Sequence, residues 1–119
     1  MLLYSDTLKH ELELLDGWKI NDNSISRVIP MHNWKGVLML ANAIAHLAEQ
    51  AWHHPDLSVS YAKVGVRITN HDAGGVTGKD FALAIKIDDA LDWNPATESD
   101  SPLQGIPAGS NFDYWDSEN

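Results

Sequence analysis

The stretch Trp52-His53-His54-Pro55-Asp56-Leu57-Ser58-Val59-Ser60-Tyr61-Ala62-Lys63-Val64-Gly65-Val66-Arg67-Ile68-Thr69 changes its hydrophobic period as it is read. Leu57, Val59 and Tyr61 alternate with polar residues, and Val64, Val66 and Ile68 alternate again, with Arg67 and Thr69 on the opposite side. Period two over two short runs predicts a pair of strands. Upstream, from Asn33 to about Trp52, the apolar residues recur at threes and fours: Trp34, Val37, Leu38, Ala41, Ile44, Ala45, Ala48 and Trp52. That spacing predicts an amphipathic helix. Pro55 is the predicted stop, because its ring disfavours α geometry at His54. A helix running straight into a strand pair is the unit on which the rest is built.

The same unit appears upstream. Ser5 to Leu15 reads as a helix with Ser5 as N-cap, ended by Gly17. Trp18-Lys19-Ile20 and Ile25-Ser26-Arg27-Val28-Ile29 follow as two short strands around the polar turn Asn21-Asp22-Asn23-Ser24. Downstream, Asn70-His71-Asp72-Ala73-Gly74-Gly75 is a turn whose glycines can take positive φ. Thr77-x-x-Asp80 then has the form of a capping box for a helix reaching about Leu91. The order is α-β-β-α-β-β-α, which predicts an α+β fold: an antiparallel four-stranded sheet with helices packed on one face.

Charge separates the chain into two parts. Of 17 acidic and eight basic residues, giving −9 formally, residues 92–119 hold six acids and no base. Residues 1–91 form the expected domain, and 92–119 an acidic, irregular or disordered tail, relieved only by Phe112, Tyr114 and Trp115. A body of net −3 argues against nucleic acid as a partner. No apolar run approaches the roughly 20 residues that span a bilayer, and the N-terminus lacks the basic-then-apolar pattern of a secretory signal. With no cysteine, disulfides, thiolate-held metals and thiol nucleophiles are excluded. The expectation is a cytoplasmic protein with no membrane partner.

The chemistry of this sequence lies in its histidines. His53, His54 and His71 could be counted as three ligands of a zinc ion. Adjacent histidines face opposite ways on a strand and diverge by roughly 100° on a helix. The usual i,i+2 or i,i+4 ligand pairs are absent among the three, so no metal is expected. A second reading is that His53 and His54 merely end a helix, where cationic side chains are favoured. The third is proton chemistry. Glu49 stands four residues before His53, within reach on a helix, and Pro55 sets His54 in a different environment. Asn42, His46, Glu49 and His53 also share a helical stripe. Residue pattern alone leaves the last two readings open.

A longer pattern narrows them. Glu49-x-x-x-His53-His54-Pro55, then Tyr61 and Val64, then His71-x-x-Gly74-Gly75-x-Thr77-x-x-Asp80 and Ile87-Asp88, resembles the pterin-4a-carbinolamine (4a-hydroxytetrahydrobiopterin) dehydratases. Gly17-Trp18 and Ile25-x-Arg27 match the family's looser first half. The resemblance covers about residues 2–91. It implies the same element order, a homodimer or homotetramer, and no metal or organic cofactor. It implies removal of water from a 4a-hydroxytetrahydropterin released by an aromatic amino acid hydroxylase, giving a quinonoid dihydropterin. Carried over, the active-site histidines fall on His53, His54 and His71. Pterin contacts fall on His53 to Pro55 and on Asn70, His71, Asp72 and Ala73, with Glu49 and Asp80 as accompanying acids. Asp80 is expected to orient His71 besides capping its helix. Asn70 stands where the family often has Thr or Ser, and Val76 where it has Leu. The resemblance also implies an alternative, a non-catalytic partner-binding or dimerisation module of the same fold.

Overall fold

The structure is a computed structural model that describes residues 10, 15–21, 23–70 and 73–107. Most of the helix expected over Ser5–Leu15 lies outside the described residues, as do His71, Asp72, Phe112, Tyr114 and Trp115. The chain runs through β1 (Lys19–Asn21), β2 (Ser24–Pro30), α1 (Trp34–Ala51), β3 (Asp56–Ser60), β4 (Lys63–Ile68) and α2 (Gly78–Asp92). A single 3₁₀ turn, Pro95–Thr97, follows within the acidic segment. The sheet order is β1-β2-β4-β3 and every neighbouring pair is antiparallel. The α+β class read from the sequence is the fold observed.

Register explains why the alternating runs form one sheet. Ile25 faces Ile68, Ile29 faces Val64 and Leu57 faces Val66 across the ladders. Residues directly opposite share a face, so these side chains make one apolar surface. Ile25, Ile29, Val64 and Ile68 are fully buried there. The other face stays open, with Val28 63% exposed beside the surface ion pair of Arg67 and Asp56. Val37, Leu40 and Ile44 of α1 and Phe81, Ala84 and Ile87 of α2 close the core over the apolar face.

Three expectations need correcting. Tyr61 falls in the turn after β3 and is exposed, so the first alternating run ends at Ser60. Trp34, Leu38 and Trp52 fit the α1 stripe by spacing yet are exposed, while Leu40 is buried. The sheet accepts only the narrower line through Val37, Leu40, Ile44 and Ala48. Helix α1 ends at Ala51, within a residue of the end read at about Trp52, but it is closed by a left-handed Trp52 and not by Pro55. Its start is as read: Asn33 caps it, its side-chain oxygen accepting from the Gly36 amide at 2.7 Å.

The first strand pair is tied to α2 by a polar knot. Trp18 Nε1 donates to both carboxylate oxygens of Asp88, at 2.9 and 3.1 Å, and Arg27 Nη1 reaches Asp88 Oδ1 at 2.6 Å. Gly17 takes φ +89°, and a β-carbon there would meet Arg27 Nε at 3.0 Å. The positive φ favours glycine, and a β-carbon would also press on the Arg27 side chain. Burial pushes the Asp88 carboxyl above its ordinary range, and the bonds from Trp18 and Arg27 only partly oppose that.

Candidate functional site

The site begins where α1 ends. The amide of His53 donates to the Ala48 carbonyl at 3.1 Å and that of Trp52 to the Glu49 carbonyl at 3.3 Å. This pair of bonds is a Schellman closure, with Trp52 in its left-handed position at φ 51°, ψ 47°. Glycine is the usual occupant, since a β-carbon in that region costs about 1 kcal/mol or more. The reversal lifts His53 off the helix. A turn-to-turn contact with Glu49, expected from the spacing of four, is therefore lost.

His53 turns instead to the start of α2. Thr77 is the N-cap of α2: its hydroxyl oxygen accepts from the Lys79 amide at 3.2 Å, and its own amide donates to Asp80 Oδ2 at 2.6 Å. The capping box read from Thr77-x-x-Asp80 is thus present. Its carboxylate has a second oxygen to fill. His53 Nε2 donates to Asp80 Oδ1 at 2.6 Å, with Asp80 fully buried and His53 14% exposed. The imidazole described on Asp80 is therefore that of His53, while His71, which the resemblance set beside Asp80, lies outside the described residues. An ionised carboxylate can only accept, so this bond puts the N–H on Nε2 and leaves Nδ1 with its lone pair. Among the described residues Nδ1 carries no hydrogen bond.

Glu49 pairs with the other histidine. Its Oε1 accepts from His54 Nε2 at 2.7 Å, and both side chains are at least half exposed. The indole of Trp52 meets the His54 ring edge-on, with centroids 5.0 Å apart and planes at 81°. A pair this wet contributes little. Glu49→Gln is expected to change unfolding free energy by less than about 1 kcal/mol, read by urea titration.

The second half of the site is a tight turn. The Asn70 carbonyl accepts from the amides of Ala73 and Gly74, each at 3.1 Å, and Asn70 Oδ1 also accepts from Ala73 at 3.2 Å. Gly74 takes φ +74°, and Asn70 bridges to Gly75. The turn expected over Asn70–Gly75 closes at these described ends, with His71 and Asp72 between them in sequence. Pro55 is half-buried as the chain enters β3.

Between the end of α1 and α2 lies a groove of about 420 Å³. Leu47, Ala51, Ala82 and Leu83 line it with apolar surface, and Trp52, His53, Gln50, Lys79 and Lys86 add polar edges. Trp52, Lys79 and Lys86 were missed by sequence reasoning. Trp52 had matched the apolar stripe, and nothing in spacing marks a lysine on α2 as facing a groove. Among the described residues, no group of three or more His, Asp or Glu side chains is placed to hold a metal ion. Nor is any helix there long and apolar enough to cross a membrane.

Comparison with known proteins gives one consistent result. The family model described as Pterin 4 alpha carbinolamine dehydratase matches residues 1–90. A protein of Aquifex aeolicus carrying a provisional pterin-4-alpha-carbinolamine dehydratase name is 47% identical over 89 residues, 75% of this chain and 90% of its own. A Sulfurisphaera tokodaii protein with the same provisional name is 38% identical over 84 residues, 71% of this chain and 90% of its own. Among solved structures, a transcriptional coactivator/pterin dehydratase from Brucella melitensis superposes with TM-score 0.71 at 28% identity, covering 74% of this chain and 96% of that one. A pterin dehydratase-like RuBisCO assembly factor of the alpha-carboxysome superposes with TM-score 0.54 at 13% identity over 63% and 87% of the two chains, a likeness of fold alone.

Proposed function

Because the chain belongs to the pterin 4 alpha carbinolamine dehydratase family, we propose that it dehydrates a 4a-hydroxytetrahydropterin to the quinonoid dihydropterin by histidine acid–base chemistry. The observation that carries this reading is the imidazole of His53 held by the buried carboxylate of Asp80. In the reaction the C4a–O bond breaks and a C=N bond forms at C4a. The departing hydroxyl takes up one proton to leave as water, and a ring N–H gives one up. Proton delivery and removal balance, so no metal or organic cofactor is called for.

His53 and His71 carry the two proton transfers in this reading, and His54 binds and orients the pterin. Asp80 fixes the tautomer of His53, so that one ring nitrogen is always a donor to the protein and the other is kept for substrate. Each positioned acid or base is worth about 10²–10⁴-fold in rate. Residues His53 to Pro55 and Asn70 to Ala73 form the pterin contacts, with Glu49 holding His54 from outside. The reading includes a homodimer or homotetramer in the cytoplasm, and a link to an aromatic amino acid hydroxylase through tetrahydrobiopterin recycling.

The test is the decay of 4a-hydroxytetrahydropterin, followed by absorbance. Purified protein is expected to accelerate it, and His71→Ala to lose at least about tenfold of that acceleration. Decay at the uncatalysed rate with the wild-type chain would overturn the reading. A second reading, a partner-binding module, draws on neighbours of this fold named as a coactivator and an assembly factor. It predicts a stable complex with a partner protein and no effect on pterin decay.

A further inference from the structure

Trp52 sits where the backbone favours glycine, and its indole is not spent on the fold. It is the one non-glycine residue with positive φ among the described residues. Its side chain is 76% exposed, outside the core, with an edge-on contact to His54 as its recorded ring interaction. Neither local conformation nor packing explains a tryptophan there. Residues kept in unfavourable backbone regions cluster where a ligand is held.

Its neighbours say which ligand. Trp52 immediately precedes both histidines and lines the same groove as the imidazole of His53. Across that groove stand Lys79 and Lys86, neither in an ion pair among the described residues, and no carboxylate is among the lining side chains. A flat indole beside the imidazole of His53, with ammonium donors opposite, suits a fused nitrogen heterocycle bearing carbonyl and ring-nitrogen acceptors. We infer that Trp52 is the stacking platform that positions the pterin ring against His53. The inference rests on the dehydratase reading and adds a positioning residue to it. Rate and affinity separate under it: losing the platform weakens binding, while the proton-transfer groups stay in place.

Trp52→Gly and Trp52→Phe in the full chain test this. Trp52→Gly suits the helix closure, so its thermal midpoint is expected to equal or exceed that of the wild type. Its KM for 4a-hydroxytetrahydropterin is expected to rise about tenfold or more, with a much smaller change in kcat, as for a lost base-stacking aromatic. Trp52→Phe keeps a ring face and is expected to restore KM to within about threefold of wild type. Independently, 7,8-dihydropterin is expected to quench tryptophan emission in the wild type and to bind Trp52→Gly about tenfold more weakly by calorimetry. Unchanged KM and affinity in Trp52→Gly overturn this inference alone, as does a marked fall in its thermal midpoint. A wild-type chain that neither binds nor dehydrates a pterin overturns the dehydratase reading along with it.

Discussion

Asp80→Asn is expected to lower kcat for pterin dehydration by about 10²–10⁴-fold while the protein stays folded. In the wild type both carboxylate oxygens accept, Oδ2 from the Thr77 amide and Oδ1 from His53 Nε2. An asparagine has one oxygen and one amino group to offer the same two partners. The Thr77 N–H can be satisfied only by the oxygen, so the amino group must face the imidazole. His53 Nε2 then has to accept, and its proton moves to Nδ1. The nitrogen meant for substrate becomes a donor, and the neutral ring can no longer take a proton there. The helix cap keeps its hydrogen bond, so only a modest part of the roughly 1 kcal/mol of a cap is at stake. Kinetics beside a ¹⁵N spectrum of the imidazoles checks both halves. A flipped tautomer with unchanged kcat would remove His53 from the chemistry. Since His53 and Asp80 act as one unit, His53→Ala combined with Asp80→Asn is expected to be no slower than His53→Ala alone.

The largest stability effect is expected at Asp88. Asp88→Leu should cost about 2–4 kcal/mol, a large share of the 5–15 kcal/mol typical of a domain. Asp88 and Arg27 are 15% and 11% exposed, so removing the carboxylate leaves a guanidinium without that counter-charge in a nearly dry setting. The Trp18 indole loses its acceptor as well. Replacing the pair together, with Arg27→Met and Asp88→Leu, is expected to cost less than the sum of the single changes. The pH dependence has a definite sign. Burial raises the folded-state pKa of Asp88, so the native state holds this proton more tightly than the unfolded chain. The stabilisation from that proton is complete below the ordinary carboxylate value of about 3.9 and is lost as pH rises through the raised folded value. Urea titrations across mildly acidic pH should show the advantage of wild type over Asp88→Leu shrinking as pH rises. A growing advantage would contradict the burial assigned to this carboxyl.

Sheet and helices were legible because each rests on a period that side-chain placement alone imposes. Ile25, Ile29, Val64, Val66 and Ile68 declare one face of a sheet, and Thr77 with Asp80 declares a helix start. The wiring of the site was not legible. His53 and Asp80 are 27 residues apart and meet only because α1 ends where it does. The left-handed closure there has no mark in the sequence, since tryptophan fills a position that glycine would have advertised. Pro55 drew attention to the wrong residue, and Glu49 was assigned to His53 on a helix that had already stopped. The resemblance named the histidines but not which acid holds which ring.

Asp80 answers to two constraints that can be inherited separately. It is the N3 residue of a capping box and the anchor of an imidazole, and the first duty survives if the second disappears. A descendant that lost His53 would still be penalised for losing the aspartate, because the start of α2 would loosen. An aspartate here in a related chain is therefore a record of the helix, whereas a histidine after a left-handed residue would be, under the proposed chemistry, a record of the reaction. Under the proposed chemistry, His53 rather than Asp80 is the position expected to sort catalysts from chains that only share the scaffold.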